Sequence, residues 1–138
     1  IFYIDQNNSV QAKHCLENSI ELNPASSKAH RNLGILLFQQ QNYDAARLHI
    51  EKALDLNYSD RLAHLNLGLI LKQSKDYTDA ELHLLTALDI DPGYIVCLLE
   101  MALLQLVMEN QIKAKIFYQK AREISPDITH ADLDKVLK

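Results

Sequence analysis

The sequence contains few of the residues that interrupt helices. It has no Trp, only three Gly and three Pro among 138 residues, and 48% of it is apolar. This composition argues against a loop-rich or disordered chain and favours a mostly helical protein with short connections. The chain is long enough to bury one core without a disulfide or a structural metal.

Runs of one charge are also lacking. The formal net charge is −4, and acidic and basic residues are mixed along the chain. Proteins that bind nucleic acid or anionic lipid through charge need a basic patch, so we expect neither as a partner. No apolar stretch is long enough for a transmembrane helix, so we expect no direct membrane insertion.

Only two cysteines are present, Cys15 and Cys97, in separate apolar helical stretches. We predict that both are free, buried thiols, which indicates a reducing compartment and a cytoplasmic location. No signal peptide is visible. Because the chain begins at Ile1 without Met and inside a repeat, we expect it to be a fragment of a longer protein.

What the sequence does contain is an internal repeat. Residues 29–34 (AHRNLG) return as residues 63–68 (AHLNLG), about 34 residues later, a period typical of helical repeat arrays. About fourteen residues are identical between two consecutive units in this frame. The period predicts a partial unit at 1–26, full units at 27–60, 61–94 and 95–128, and a terminal segment at 129–138.

Apolar residues recur every three or four positions in each unit, which predicts two helices per unit. In the partial unit we expect an apolar stub at 1–4, a break at 7–9 and then a helix that ends at Pro24. Ser26 or Ser27 can cap the helix that follows. Residues 129–138 are predicted to form a short helix, either as a cap of the array or as the start of another repeat.

The residues Asn32, Leu33, Gly34, Tyr43 and Ala46 stand at the signature spacings of the tetratricopeptide repeat (TPR), as do Ala53 and Pro92. The chain therefore resembles the TPR family over essentially its whole length. The resemblance implies an all-α fold, an α-α superhelix (TPR solenoid) of antiparallel helix pairs. It also implies a concave groove, formed by the first helix of each repeat, that binds extended or helical peptides.

Asn32 and Asn66 occupy equivalent groove positions and are predicted to contact a ligand. They resemble the asparagine ladder of glycosyltransferase TPR arms, although Glu100 interrupts it. The alternative is that they only hydrogen-bond between adjacent helices. The resemblance implies a peptide-binding groove lined by Lys28, Arg31, Asn32, Ile35, Leu62, Leu65, Asn66, Leu69, Lys72, Leu99, Glu100 and Leu103.

Some members of this family hold chaperone C-termini with a two-carboxylate clamp. Arg31 and Asn66 fit that clamp, but Ile35, Val96 and Glu100 replace the Asn, Lys and Arg that it requires, and Glu100 would repel a carboxylate. We therefore predict that the clamp is absent. The apolar run at 95–108 is explained either by cover from residues 129–138 or by a patch for a partner helix or a second copy of the chain.

The sequence shows no phosphate loop, nucleophile elbow or paired catalytic carboxylates. Equivalent histidines, His30 with His64 and His49 with His83, are too far apart for one zinc if stacked helices are roughly 10 Å apart. We therefore predict a non-catalytic scaffold for protein or peptide partners, with no cofactor and no metal. The alternatives are a substrate-recognition arm of a larger enzyme, such as a protein glycosyltransferase, and self-assembly through open repeat edges.

Overall fold

The computed structural model describes residues 6–138 and confirms the all-α prediction for them. Within these residues there is no strand, and no helix combines the length and apolar character needed to cross a bilayer. The helices are α1 (Gln6–Leu22), α2 (Ser27–Gln39), α3 (Tyr43–Leu56), α4 (Arg61–Gln73), α5 (Tyr77–Ile90), α6 (Ile95–Val107), α7 (Gln111–Ile124) and α8 (Ala131–Asp134), followed by a 3₁₀ turn at Lys135–Leu137.

The helices form two layers of a solenoid. Helices α2 and α3, α4 and α5, and α6 and α7 pack as hairpins, and α1 packs against α2. Consecutive hairpins meet where α3 contacts α4 and α5 contacts α6, while α4 also contacts both α2 and α6. Helices α2, α4 and α6 therefore form the inner face, and α3, α5 and α7 form the outer face.

Each hairpin turns through the same short connection. The backbone is left-handed at Gln41 (φ 62°), Lys75 (φ 62°) and Glu109 (φ 59°). The next amide in the first turn, that of Asn42, donates to the carbonyl of Leu37 at 2.9 Å, and equivalent bonds close the other two turns. This bond ends the first helix and reverses the chain, so the second helix of each pair runs antiparallel to the first.

Side chains fix where two inner helices begin. Ser26 Oγ accepts a hydrogen bond from the Ala29 amide at 3.2 Å, which confirms the predicted cap of α2. Asp60 Oδ1 accepts bonds from the Leu62 and Ala63 amides, both at 3.1 Å, and caps α4. These oxygens satisfy amides that have no partner within the helix.

Glycine allows the helices of the first two hairpins to approach closely. A Cβ added at Gly34 would lie 2.6 Å from Ile50 Cγ1, and one at Gly68 would lie 2.8 Å from Leu84 Cγ. Both distances are shorter than van der Waals contact. The small residue that the family signature requires at this position therefore has a steric cause.

The C-terminal segment covers one side of the apolar helix α6. Leu133 of α8 is fully buried and forms a core cluster with Ala102 and Tyr118. The Tyr118 hydroxyl donates to the carboxylate of Asp134, which ties this segment to α7. Cover by residues 129–138 therefore explains part of the apolar run, although Val96 remains exposed.

Two details of the sequence prediction are wrong. Residues 7–9 lie inside α1 instead of forming a break, because polar residues are readily accommodated in the first turn, where amides lack helical partners. Cys97 is buried as predicted, but Cys15 is exposed, because among the described helices α1 packs mainly against α2. The predicted stub at residues 1–4 lies outside the described residues.

Candidate peptide-binding groove

A row of aliphatic side chains runs along the inner face. Ile35, Leu69 and Leu103 occupy equivalent positions on α2, α4 and α6, and each is half-buried. Ile35 and Leu69 pack against the main core, and Leu103 packs against the C-terminal cluster. Because equivalent residues of stacked hairpins lie side by side, this inner row presents an apolar strip with one edge open to solvent.

Most predicted groove residues keep some exposed surface. Leu65 is an exception: it is 4% exposed and belongs to the main core, so it supports the inner face from within instead of lining it. Ligand contact by the other residues stays a prediction. Lys28 is exposed, and Arg31, Asn32, Ile35, Leu62, Leu69, Lys72, Leu99, Glu100 and Leu103 are half-buried.

The two equivalent asparagines have different surroundings. Asn66 is only 7% exposed, and its Nδ2 donates to the carbonyl of Leu62 in its own helix at 2.8 Å. Asn32 is more open, and its Oδ1 lies 3.4 Å from Nε of Arg31. The bond of Asn66 lies within its own helix and not between adjacent helices, so the two asparagines have different environments, and ligand contact by either stays a prediction.

Charges on the inner face are paired between hairpins. Arg31 Nη1 lies 2.7 Å from Asp60 Oδ2, and Lys72 Nζ lies 3.8 Å from Glu100 Oε2. At the N-terminal end of the groove, Asp60 offsets the charge of Arg31. Glu100 is likewise offset by Lys72, so neither pair leaves a full charge for a ligand.

A shallow crevice opens at the N-terminal end of this face, between α1 and α2. It encloses about 280 Å³ and is almost entirely apolar. Asn32 and Gln39 supply the amide groups at its margin. The crevice extends the inner row toward α1 and is lined by Ala12, Leu16, Asn32, Ile35, Leu36 and Gln39.

Histidines meet in pairs inside the first two hairpins. Nδ1 of His30 lies 3.3 Å from Nδ1 of His49, and Nδ1 of His64 lies 3.1 Å from Nδ1 of His83. These contacts join histidines of one hairpin, whereas the repeat period relates histidines of different hairpins, so the period does not predict them. Both pairs are separated by 19 residues in the sequence, and this shared spacing is the signal that indicates the contacts. Among the described residues, no group of three His, Cys, Asp or Glu could hold a metal ion.

A family model for the tetratricopeptide repeat matches residues 3–56 and, in a second copy, residues 36–95. The two matches together cover well over half of the chain. This chain belongs to the tetratricopeptide repeat family. No curated protein matches it in sequence.

Solved TPR structures share the fold of this array. MamA superimposes with a TM-score of 0.80 at 18% identity, over 91% of this chain and 77% of MamA. PilF of Pseudomonas aeruginosa gives a TM-score of 0.82 at 25% identity, over 91% of this chain and 58% of PilF. The first TPR of Spaghetti (RPAP3), bound to the HSP90 peptide SRMEEVD, gives 0.76 at 19% identity, over 80% of this chain and 90% of that one.

The TPR array also has an apolar row on its outer face. Leu48, Leu82 and Ile116 occupy equivalent positions on α3, α5 and α7, and their exposed fractions are 67%, 58% and 45%. Next to Ile116, a crevice of about 280 Å³ between α5 and α7 is lined mainly by apolar atoms of Leu85 and Phe117. The array therefore has two apolar rows, one on each face.

Proposed function

We propose that this TPR array is a non-catalytic interaction module that binds a peptide or a helix of a partner protein on its inner face. The observation that carries the proposal is the inner row of Ile35, Leu69 and Leu103. A partner with apolar side chains at matching intervals would remove this strip from water, which favours binding. Lys28 and Asn32, at the N-terminal end, would supply polar contacts.

The same geometry makes an acidic C-terminal peptide a poor ligand. The RPAP3 structure holds the acidic HSP90 peptide SRMEEVD, which supports a protein partner for this fold but not the same ligand. Here the Arg31 guanidinium is already paired with Asp60, and Glu100 adds negative charge to the face. We therefore infer that the preferred ligand is mainly apolar.

Three further predictions belong with this proposal. A substrate-recognition arm built on an asparagine ladder is less favoured, because the amide donor of Asn66 bonds within its own helix and Glu100 interrupts the series. A reducing, cytoplasmic setting is supported by Cys15 and Cys97, which are both free thiols. The negative net charge argues against nucleic acid as a partner.

A random peptide library displayed on phage and selected on the wild-type array tests the proposal directly. We expect convergent, apolar peptide sequences. Their affinity should fall at least tenfold for Leu69→Gln, which keeps the side-chain size but places an amide in the inner row. Leu82→Gln on the outer face is the matched control and should bind the same peptides as wild type.

Circular dichroism melting of both variants separates a loss of binding from a loss of fold. If the selected peptides bind Leu69→Gln as tightly as wild type, the inner face is not the site. If they lose affinity only for Leu82→Gln, the outer row is the site instead.

The outer row favours a second candidate function, self-association. Its members Leu48, Leu82 and Ile116 are more exposed than those of the inner row, and exposed apolar strips of this kind mark interaction surfaces. Analytical ultracentrifugation over a hundredfold range of concentration would show a mass that increases for wild type and stays monomeric for Leu82→Gln. A monomer at every concentration would exclude this candidate.

A further inference from the structure

The histidine rings of each pair meet edge to edge. The planes are inclined by 25°, and the ring centres are 5.5 Å apart for His30 and His49 and 5.3 Å apart for His64 and His83. In both pairs the centres are farther apart than the Nδ1 atoms by roughly the diameter of one imidazole ring. The two Nδ1 atoms therefore face each other with space for a single proton between them.

Backbone carbonyls determine which ring supplies that proton. Nε2 of His64 lies 2.7 Å from the carbonyl oxygen of Tyr58, and Nε2 of His30 lies 3.0 Å from that of Pro24. A carbonyl only accepts, so Nε2 of His30 and of His64 carries hydrogen, and Nδ1 of each neutral ring is an acceptor. The bridging hydrogen must then belong to the partner ring, His49 or His83.

Charged side chains act on both histidine pairs. Glu51 of α3 borders the same crevice of about 360 Å³ as His83. The charges of Arg47 of α3 and of Asp79 in its own helix also act on His83. In the first pair, the negative charge of Glu17 of α1 favours the protonated form of His49, and in the second pair that of Asp60 favours the protonated form of His64.

The third hairpin contains an apolar version of the same arrangement. Leu98 stands at the position of His30 and His64, and Phe117 at that of His49 and His83. Leu85 stands at the position of Glu17 and Glu51 and borders a crevice together with Phe117. The third hairpin therefore packs the same helices without a titratable pair.

We propose that the two histidine pairs make the first two hairpins, but not the third, sensitive to pH: acidification loosens the contact of α2 with α3 and of α4 with α5. A neutral pair holds one bridging proton. One further proton can bind Nε2 of His49 or His83 and leave the bridge intact. A second added proton would have to bind Nδ1 of His30 or His64. The two facing Nδ1–H groups of the pair would then oppose each other.

The direction of the effect follows from the protonation of the unfolded chain. Burial lowers the pKa of His64, and burial together with the neighbouring His30 or His64 lowers the pKa of His49 and His83. An unfolded histidine takes up a proton near pH 6.5. Below that pH the unfolded state binds more protons than the folded state, so stability falls as the pH falls.

Loosening would also distort the inner face, because α2 and α4 carry Ile35 and Leu69. This consequence rests on the proposed function. The pH response itself concerns the free protein and can be measured without any ligand. Failure of the pH response and failure of peptide binding are therefore distinguishable.

The test uses a variant that copies the third hairpin into the first two, with His30→Leu, His49→Phe, His64→Leu and His83→Phe. Urea unfolding is followed at pH 7.5 and 5.5. We expect the wild-type unfolding constant to rise on acidification by at most about tenfold per pH unit for each histidine that titrates only when unfolded. The fourfold variant should lose most of that rise, and His14→Gln, in the exposed part of α1, should keep it.

An equal rise in wild type and the fourfold variant would overturn the proposal. If the fourfold variant fails to fold, nitrogen-15 NMR of the wild-type histidines tests the proposal instead. At pH 7.5 we expect hydrogen on Nε2 of His30 and His64 and on Nδ1 of His49 and His83. Any other pattern would overturn the proposal, as would hydrogen exchange that accelerates equally in α2–α5 and in α6–α7 on acidification.

Discussion

Arg31 Nη1 lies 2.7 Å from Oδ2 of Asp60, and both side chains are largely buried where the first two hairpins meet. The other oxygen of the same carboxylate accepts the amides of Leu62 and Ala63 at the start of α4. One side chain therefore performs two functions: it caps α4 and it joins α4 to α2. Removing the charge and removing the cap are separable changes at this position.

Asp60→Asn should lower the free energy of unfolding by about 1.5–3 kcal/mol, because it removes the charge that pairs with Arg31 but keeps an oxygen for the cap. Asp60→Ala should lower it by about 1 kcal/mol more, because the cap is then lost as well. Urea unfolding monitored by circular dichroism measures both.

Asp91→Asn is the matched control for this prediction. Asp91 pairs with Arg61 at the next junction, where the Arg61 side chain is 52% exposed. An exposed ion pair contributes less than about 1 kcal/mol. Equal losses for Asp60→Asn and Asp91→Asn would contradict the view that burial makes the first pair important.

The features that recur in each repeat could be predicted from the sequence. Gly34 and Gly68 could be placed between paired helices because every hairpin needs a close approach at the same point. Ile35, Leu69 and Leu103 could be placed on one face for the same reason. Repetition makes these positions predictable, since each hairpin repeats the environment of its neighbour.

Contacts outside that period do not follow from the repeat alone. The partner of Arg31 is 29 residues away and belongs to a connection between hairpins. His30 and His49 meet within one hairpin, whereas the period relates positions in different hairpins. The burial of Asn66 depends on the helices on both sides of α4, whereas α1 and α2 leave Asn32 more open.

Cys15 and Cys97 should differ sharply in reactivity. Burial raises the pKa of the Cys97 thiol to about 12, and its Sγ also donates to the carbonyl of Leu84 at 3.3 Å. Cys97 therefore remains an unreactive thiol at pH 8, while Cys15 is exposed. Titration with a disulfide reagent should modify one thiol per native chain and two per chain in denaturant.

Cys15→Ser supplies the control for the thiol titration. Native protein with this substitution should show almost no fast reaction, and full reaction should return in denaturant. Rapid modification of Cys97 in the native state would show that α6 opens readily, contrary to the full burial of Cys97.

Gly34→Ala should destabilise the array by about 1–3 kcal/mol, because the new Cβ would overlap Ile50. The overlap should outweigh the better helix propensity of alanine, which is worth about 1 kcal/mol. Thermal unfolding measures the change. In a double-mutant cycle, Gly34→Ala should cost less when Ile50→Ala has already removed the opposing atoms.

Gly93→Ala tests whether the effect at Gly34 is steric. A Cβ at Gly93 would come no closer than 3.7 Å to a neighbour, Oδ1 of Asp91. This change should be nearly neutral. If Gly34→Ala proves equally neutral, the inner and outer helices can separate more easily than the fixed packing implies.

The three left-handed turn residues offer a stabilising change. Non-glycine residues pay roughly 1–2 kcal/mol for this backbone conformation, and glycine adopts it without steric cost but loses more entropy on folding. Replacing Glu109 (φ 59°) by Gly should therefore stabilise the array by about 0.5–1 kcal/mol. Because the turns are equivalent and separate, the gains at Gln41, Lys75 and Glu109 should be additive.

Gln40→Gly is the control that separates the effect of the left-handed backbone from that of glycine itself. It directly precedes Gln41, but its φ is −82°, so Gln40→Gly relieves no strain and only increases the freedom of the unfolded chain. Urea unfolding should show a loss of stability for Gln40→Gly and a gain for Gln41→Gly. If both changes reduce stability, the left-handed conformation costs less than the entropy that glycine adds, and the turns are not a source of strain in this array.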